Sequence, residues 1–180
     1  MVYVLLAEGF EEIEAVYPID VLRRCGVEVK TVGVTWCYVT GSNRIKFQVD
    51  IGIEDIDPDE PIKMLILPGG PGRINLRDND FSRNLIKRCY DNNFPIAAIC
   101  GAPEILGELG CLKGRKATCY PGLESKLKGA QYVDEEVVVD GNLITAKAAG
   151  SSEAFAFAIA EFLCGKDKTN EVRGKMLCGL

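Results

Sequence analysis

Continuous apolar runs alternate along this chain with segments in which apolar residues recur at helical spacing. Unbroken runs such as 2–7 are typical of strands that are buried on both faces of a parallel sheet. The runs predict strands at 2–7, 27–34, 63–67, 95–99 and 116–119. Helical spacing predicts helices at about 11–25, 80–92 and 151–164, and a shorter one that ends near 109. The predicted inward stripe of the first helix is Ile13, Val16, Tyr17 and Val21.

Two hairpins are predicted between these elements, one at 36–49 and one around Asp140-Gly141. Strands that alternate with helices of about 10–15 residues indicate βαβ units. We therefore predict one α/β domain at 1–165, with a doubly wound, mainly parallel sheet and helices on both faces. Residues 166–180 are expected to form a polar C-terminal tail that packs on or near the domain.

Doubly wound proteins bind their ligands in the crevice at the carboxyl ends of the parallel strands. The segments 8–14, 68–73 and 100–103 each leave a predicted strand at that edge. They contain an acidic run, a proline-glycine turn and a cysteine, so the candidate site is expected among them.

Composition and charge argue against several classes of function. The 180 residues are 47% hydrophobic and 26% charged, as in an ordinary globular protein. A formal net charge of −5, with no long basic run, argues against nucleic acid and against a membrane surface as partners. No segment approaches the ~20 apolar residues of a membrane span, and the N-terminal run reaches Glu8 too early for a signal peptide. We therefore expect a cytoplasmic protein whose eight cysteines are mostly reduced.

The chain contains no histidine. This excludes mechanisms that need a Cys-His or Ser-His pair within the chain, and metal sites built on imidazole. Because no two cysteines have Cys-x-x-Cys spacing, neither a zinc knuckle nor a thioredoxin-type motif is predicted. We expect no metal and no cofactor.

Cys100 follows a predicted strand and precedes a helix, with the small residues Gly101 and Ala102 directly behind it. This is the arrangement of a nucleophile elbow, in which a sharp turn lifts the side chain out of the sheet. Amides at the helix start favour a thiolate, which predicts a pKa below the usual ~8.5. A buried structural cysteine is an equally good interpretation of the local context.

Glu14 is the second candidate, near the exit of the first strand. A partly buried carboxyl beside a thiolate would have a raised pKa and could move a proton. Acidic residues are also common at a helix start, and this is the favoured interpretation of Glu11 and Glu12. For Glu14 both interpretations stay open.

The Gly69-Gly70 turn could present amide donors to an oxyanion, and Arg73 could add a positive charge. A proline-glycine turn is, however, more often only a turn. Cys119 could resolve an oxidised Cys100 if the two thiols were close in space.

Three motifs in order resemble the DJ-1/ThiJ/PfpI superfamily, closest to its DJ-1/ThiJ branch. They are the segment 4–16 with its carboxylate helix, Leu-Pro-Gly-Gly at 67–70, and Ile-Ala-Ala-Ile-Cys-Gly-Ala-Pro at 96–103. The resemblance extends from residue 2 to about 165. It implies a flavodoxin-like fold, usually dimeric.

The resemblance also assigns roles to residues. It makes Cys100 the nucleophile and Glu14 its protonated carboxyl partner. The backbone amides of Gly70 and Gly101 would form the oxyanion pocket, with Gly69 and Tyr120 in the substrate-binding set. Tyr120 stands where much of the branch has a histidine, which disfavours Cys-His peptidase or amidotransferase chemistry.

The leading hypothesis is a homodimeric enzyme that acts on small 2-oxoaldehydes such as methylglyoxal, by glutathione-independent glyoxalase or deglycase-like chemistry. Cys100 would add to the aldehyde, and Glu14 would move a proton through an enediol. The alternative is a non-enzymatic oxidative-stress sensor whose Cys100 is oxidised to a sulfinate. Flavin binding is disfavoured, because the loop at 8–14 is acidic where a phosphate needs amide and hydroxyl donors.

Overall fold

The apolar runs form the centre of one sheet. The computed structural model describes residues 1–35 and 37–178; Trp36, in the first predicted hairpin, and Gly179 and Leu180, at the end of the predicted tail, lie outside the described residues. The strands are β1 (Val2–Leu6), β2 (Val29–Gly33), β3 (Tyr38–Thr40), β4 (Lys46–Gln48), β5 (Ile51–Gly52), β6 (Met64–Leu67), β7 (Ile96–Ile99), β8 (Lys116–Ala117), β9 (Gln131–Tyr132), β10 (Val137–Asp140) and β11 (Leu143–Ala146). The helices are α1 (Glu12–Arg24), α2 (Arg73–Asp78), α3 (Asp80–Asp91), α4 (Pro103–Glu108), α5 (Ser152–Cys164) and α6 (Lys166–Lys175).

In the described part of the chain, seven strands form the main sheet in the order β10-β11-β7-β6-β1-β2-β5. Its neighbouring strands are parallel except β10 and β11, which form the second predicted hairpin. Val2 lies opposite Val29 on one side and Met64 on the other, and Ile99 lies opposite Ala146. The first predicted hairpin is formed by β3 and β4, apart from the main sheet.

Side chains of β1 point alternately to the two faces of the sheet, and helices cover both. Tyr3 and Leu5 belong to one hydrophobic core, with residues of α3 and α4. Val4 and Leu6 belong to the other, with residues of α1 and α5. The predicted α/β fold, a flavodoxin-like, doubly wound and mainly parallel sheet with helices on both faces, is confirmed as a single domain.

The buried face of α1 differs from the predicted stripe. Val21 is buried as predicted, but Ile13 and Val16 are 50% and 40% exposed. Ala15 and the Glu14 side chain lie inward instead. A hydrophobic pattern cannot show this, because a carboxyl occupies part of the inward face.

The apolar pattern does not predict the short elements β5, β9 and α2, since two-residue strands and a two-turn helix are too short for a periodicity. β8 covers only the first half of the predicted strand at 116–119, and it pairs with β9 away from the main sheet.

Residues 166–175 form α6, whose Val172 is buried and whose Arg173 stacks on Phe157 at 3.9 Å. Within residues 1–35 and 37–178, no helix has both the length and the apolar character needed to cross a bilayer.

Candidate active site

Three adjacent strands bring the candidate residues together. β7, β6 and β1 are neighbours in the sheet, so the segments that follow them begin at one edge. Cys100 follows β7, the Gly69-Gly70 turn follows β6, and Glu14 lies in the first turn of α1 after β1. The three candidate features of the sequence therefore share one place, at the carboxyl edge of the sheet.

Cys100 lies on a strained turn between β7 and α4. Its φ is +65°, in the left-handed region that residues with a side chain rarely adopt. The Cys100 amide donates to the Ala146 carbonyl at 2.9 Å, and the Cys100 carbonyl accepts from the Tyr120 amide at 2.7 Å. These bonds hold the strained residue on both sides, and the side chain borders a cavity.

The Glu14 carboxyl is fully buried beside the Cys100 thiol. Its Oε2 accepts a hydrogen bond from the Gly69 amide at 2.8 Å, whereas Oε1 is buried with no hydrogen-bond partner in the described structure. Burial raises the pKa of Glu14 to about 7, although the Gly69 amide and the Cys100 thiol oppose this rise. The carboxyl therefore titrates near neutral pH.

The Cys100 thiol does not have the predicted low pKa. Burial first, and then the charge of Glu14, raise the pKa of Cys100 to about 12, while the Gly70 and Gly101 amides act in the opposite direction. The prediction of a value below ~8.5 is wrong because it rested on local donors alone. Desolvation and a neighbouring carboxylate outweigh those donors. While Glu14 is ionised, Cys100 therefore keeps its proton.

Gly69 allows the thiol and the carboxyl to meet. A methyl group on Gly69 would lie 2.7 Å from Cβ of Cys100 and 2.8 Å from Oε2 of Glu14, inside van der Waals contact. Gly70, the next residue, has a φ of +77°, and its amide stabilises the Cys100 thiolate. The glycine turn is thus part of the site's packing and not only a change of chain direction.

A cavity of about 430 Å³ opens beside Cys100. It is lined by Gly70, Pro71, Arg73, Ile74, Cys100, Gly101, Tyr120, Pro121, Gly122 and Leu123. Tyr120 is 49% exposed. Gly69 lies between Glu14 and Cys100 and is not part of the wall. The volume is in the range of small-molecule sites.

The contacts that two buried acidic residues make were not predicted from the sequence. Glu104, in the first turn of α4, is buried and pairs with Arg73 at 3.1 Å. Glu12, interpreted only as a helix-start acid, accepts from the Asn43 amide at 2.7 Å and ties the first hairpin to α1. Each contact joins residues 31 positions apart, so no local spacing could have indicated it. Glu11 has the predicted role, since its carboxylate accepts a backbone hydrogen bond at 3.0 Å as the N-cap of α1.

Cys119 does not face Cys100. The Cys119 side chain is fully buried in the core under α3 and α4, whereas Cys100 packs against the opposite core. The chain after Cys119 does contact Cys100, through the Tyr120 amide. Because the two thiols belong to different faces of the sheet, the arrangement does not favour a disulfide between them.

The chain is similar to known proteins over most of its length. The model of the DJ-1/PfpI family matches residues 1–162. A deglycase of Pyrococcus abyssi is 35% identical over 156 residues, which cover 86% of this chain and 93% of that protein.

Two solved structures are similar over nearly the whole chain. The crystal structure of Drosophila melanogaster DJ-1beta has a TM-score of 0.94 and 34% identity, and covers 99% of this chain and 98% of its own. The structure of oxidized Toxoplasma gondii DJ-1 has a TM-score of 0.94 and 30% identity, with the same coverage of 99% and 98%. The matched regions include the elements that carry Glu14, the glycine turn and Cys100.

Proposed function

Because the chain belongs to the DJ-1/PfpI family, as its motifs predict, we propose that it acts on small 2-oxoaldehydes by glutathione-independent glyoxalase or deglycase-like chemistry at Cys100. The observation that carries the proposal is the position of the Cys100 thiol beside the buried Glu14 carboxyl, whose pKa is raised to about 7. A base whose pKa is near the working pH is an effective acceptor for the thiol proton. The deglycase name of the Pyrococcus abyssi relative supports the same chemistry.

In the first step the Glu14 carboxylate takes the thiol proton as the Cys100 sulfur bonds to the aldehyde carbon. The carbon–oxygen π bond opens, and the negative charge that develops on oxygen is stabilised by the amides of Gly70 and Gly101. Proton transfer from Glu14 to this oxygen completes a hemithioacetal and restores the carboxylate. Cys100 therefore never needs to persist as a free thiolate, which suits its raised pKa.

In the second step the Glu14 carboxylate removes the proton from the carbon bonded to sulfur, which forms an enediolate with its negative charge on the oxygen of the neighbouring carbon. Glu14 returns this proton to the neighbouring carbon, and the hydroxyl proton of the carbon bonded to sulfur moves to the charged oxygen. The product is a thioester of a 2-hydroxy acid on Cys100. Water then cleaves the carbon–sulfur bond, releases the hydroxy acid and restores the thiol. The sequence is an internal redox change within the substrate, so it balances without an external oxidant or reductant.

Purified protein should convert methylglyoxal to lactate without glutathione. Cys100→Ser should reduce the conversion to background, and Glu14→Gln should lower it on the order of 10²–10⁴-fold through loss of the proton-transfer group. Cys37→Ser is the matched control, because Cys37 is an exposed cysteine outside the cavity wall and its loss should leave the rate unchanged. Turnover that survives Cys100→Ser would refute the proposal.

A sensor of oxidative stress is the second candidate, favoured by a specific observation. Cys100 is only partly buried and borders an open cavity, so a peroxide can reach it. One peroxide would convert the thiol to a sulfenic acid and a second would form the sulfinic acid, each with release of water. A protonated Glu14 would donate a hydrogen bond to the sulfinate.

Mass spectrometry after mild peroxide treatment separates the two functions. Addition of two oxygen atoms at Cys100, in a protein that does not turn over methylglyoxal, supports the sensor. Turnover by the reduced protein that disappears on oxidation supports the enzyme.

We also propose that the protein acts in the cytoplasm as a homodimer. Ile13 and Val16 on α1 are 50% and 40% exposed, and Ile45 in the first hairpin is 54% exposed. The hydrogen bond between Glu12 and Asn43 holds these two segments together, so a second copy of the chain could bury their apolar residues in one interface. Sedimentation should show a dimer that Ile13→Asp shifts toward monomer, and a monomeric wild type would contradict the proposal.

A further inference from the structure

Arg73 lies at the wall of the Cys100 cavity, held by residues of two segments. Its Nε donates to the Glu104 carboxylate at 3.1 Å, and its Nη1 donates to the Gly70 carbonyl at 3.4 Å. The side chains of Arg73 and Glu104 are 26% and 5% exposed, so the ion pair is largely shielded from water. These bonds leave further guanidinium N–H groups for a ligand in the cavity.

Gly101 provides the space through which Arg73 passes. A methyl group on Gly101 would overlap Cδ of Arg73 and would lie 2.5 Å from its Nε. The φ of Gly101 lies outside the left-handed region, so the requirement at this position is space and not backbone conformation. The missing side chain at Gly101, directly after Cys100, therefore leaves room for the Arg73 side chain at the wall of the cavity that Cys100 also lines.

We propose that Arg73 is a specificity-determining residue that binds an anionic oxygen on the carbon next to the one that Cys100 attacks. The inference rests on the proposed function and names its ligand class: 2-oxoaldehydes as substrates, in preference to simple aldehydes, and glyoxylate as a competing ligand that binds at Arg73 but is not isomerised. Among the described residues that line the cavity, Arg73 is the only charged one. A substrate that carries or develops negative charge has no other cation to bind there.

A cation at this position would stabilise the negative charge that the proposed chemistry develops. When Glu14 removes the proton from the carbon bonded to sulfur, negative charge moves to the oxygen of the neighbouring carbon. In glyoxylate, the same position carries a carboxylate before any reaction. A guanidinium group binds either group through charge-assisted hydrogen bonds, and its anchorage by Glu104 means that little side-chain entropy is lost on binding.

A purely structural ion pair would only hold the turn after β6 against α4. Such a pair would affect neutral and anionic ligands equally. Discrimination by charge is therefore the measurement that separates the two roles.

The test compares the rates at which iodoacetate and iodoacetamide alkylate Cys100, followed by mass spectrometry of the Cys100 peptide. The two reagents are similar in size and react by the same displacement, but only iodoacetate carries a carboxylate. Arg73→Met should lower the iodoacetate-to-iodoacetamide rate ratio at least about tenfold, the effect of losing a hydrogen-bonded charge partner. Glyoxylate should likewise lose its ability to inhibit methylglyoxal turnover competitively.

Two further variants make the result specific. Gly101→Ala should lower the ratio as well, because it displaces an intact Arg73, and adding Arg73→Met to it should cause no further drop. Arg77→Met is the matched control: Arg77 is the other arginine of α2, pairs with Asp78 and lies outside the cavity wall, so its loss changes net charge equally and should leave the ratio unchanged. If Arg73→Met does not fold, Gly101→Ala carries the test.

A ratio that Arg73→Met leaves unchanged, or that Arg77→Met lowers equally, would overturn the inference. If Arg73→Met leaves the ratio unchanged but the protein still turns over methylglyoxal through Cys100, Arg73 has no part in the mechanism and the proposed function stands. An Arg73-dependent ratio in a protein that turns over no methylglyoxal would support the anion site while the proposed function fails.

Discussion

Cys100 and Cys89 both have a pKa raised to about 12, yet they belong to regions of different kinds. Cys89 lies in α3, fully buried in the core beneath that helix, and burial is the main cause of its raised pKa. Cys100 has a carboxyl beside it, two amides that stabilise its thiolate and a cavity in front of it. The raised pKa therefore does not distinguish Cys100, the proposed nucleophile, from a thiol of the core. The carboxyl beside Cys100 and the cavity in front of it do.

Of the variants considered, Gly69→Ala should remove most of the difference between Cys100 and Cys89, because it should separate Cys100 from its neighbouring carboxyl. The added methyl group would lie 2.7 Å from Cβ of Cys100 and would force the Glu14 carboxyl away. Methylglyoxal turnover should fall on the order of 10⁴-fold, the upper end for the loss of a proton-transfer group. Gly150→Ala is the control, because apart from its immediate chain neighbours no part of the described structure lies within 4 Å of the position that its methyl group would take. Equal rates for the two variants would contradict the assigned packing.

The pH profile of turnover tests the proton acceptor alone. Because Glu14 must be ionised to accept the thiol proton and its pKa is about 7, the wild-type rate should fall about tenfold per pH unit below that value. Above it the rate should level off. Steady-state rates from pH 5 to 9 provide the measurement, and Glu14→Gln should show a low rate without this inflection. The same inflection in Glu14→Gln would assign it to another group.

Glu14 should also make stability depend on pH. Its pKa is raised from 4.5 to about 7, so between these values the folded protein holds a proton that the unfolded chain releases. Stability should therefore decrease as pH rises through this window, by about 3 kcal/mol in total. Cys100 does not contribute, because its thiol is protonated in both states over this range.

Urea unfolding of wild type and Glu14→Gln at pH 4.5 and pH 8 measures this dependence. The free energy of unfolding of the variant, relative to wild type, should increase by about 3 kcal/mol between the two pH values. A constant difference would show that Glu14 has no raised pKa in the folded state.

Cys89→Ser should have the smallest effect, and on stability only. A hydroxyl group in this apolar core would lose its water without gaining a partner, at a cost of about 1–3 kcal/mol in the free energy of unfolding. Turnover per folded molecule should equal that of wild type, since Cys89 lies outside the Cys100 cavity. Thermal unfolding and rate assays on one preparation measure both quantities. If folded Cys89→Ser lost turnover, Cys89 could not be a purely structural residue, and the distinction drawn between the two cysteines would be wrong.

Local features of the chain were sufficient to predict where Cys100 and the glycine turn lie in the fold. A cysteine between a buried strand and a helix predicts an elbow, and Cys100 lies on such a turn with a φ of +65°. The glycine turn and Glu14 follow two other strands, and parallel strands bring their exits to one edge. Local features left open whether Glu14 lies inward, and only the family resemblance assigned it to the site. The pattern could not decide this, because the apolar Ile13 faces solvent whereas the acidic Glu12 and Glu14 are buried.

Contacts between segments that are far apart in the chain could not be predicted from local sequence features. The Arg73–Glu104 ion pair and the Glu12–Asn43 hydrogen bond each join residues 31 positions apart. Neither pair shares an element, so no helical or strand periodicity relates its members. Both contacts exist because the fold places the ends of different elements side by side.

By itself, the sequence determined the order of the longer strands and of the helices α1, α3, α4 and α5, the elbow at Cys100 and the family, because apolar runs, glycine turns and motifs act over a few residues. Only the tertiary structure decided the protonation of the site. A pKa depends on how deeply a group is buried and on which charges and amides surround it. For Cys100 and Glu14 those neighbours come from segments that follow three different strands, β1, β6 and β7.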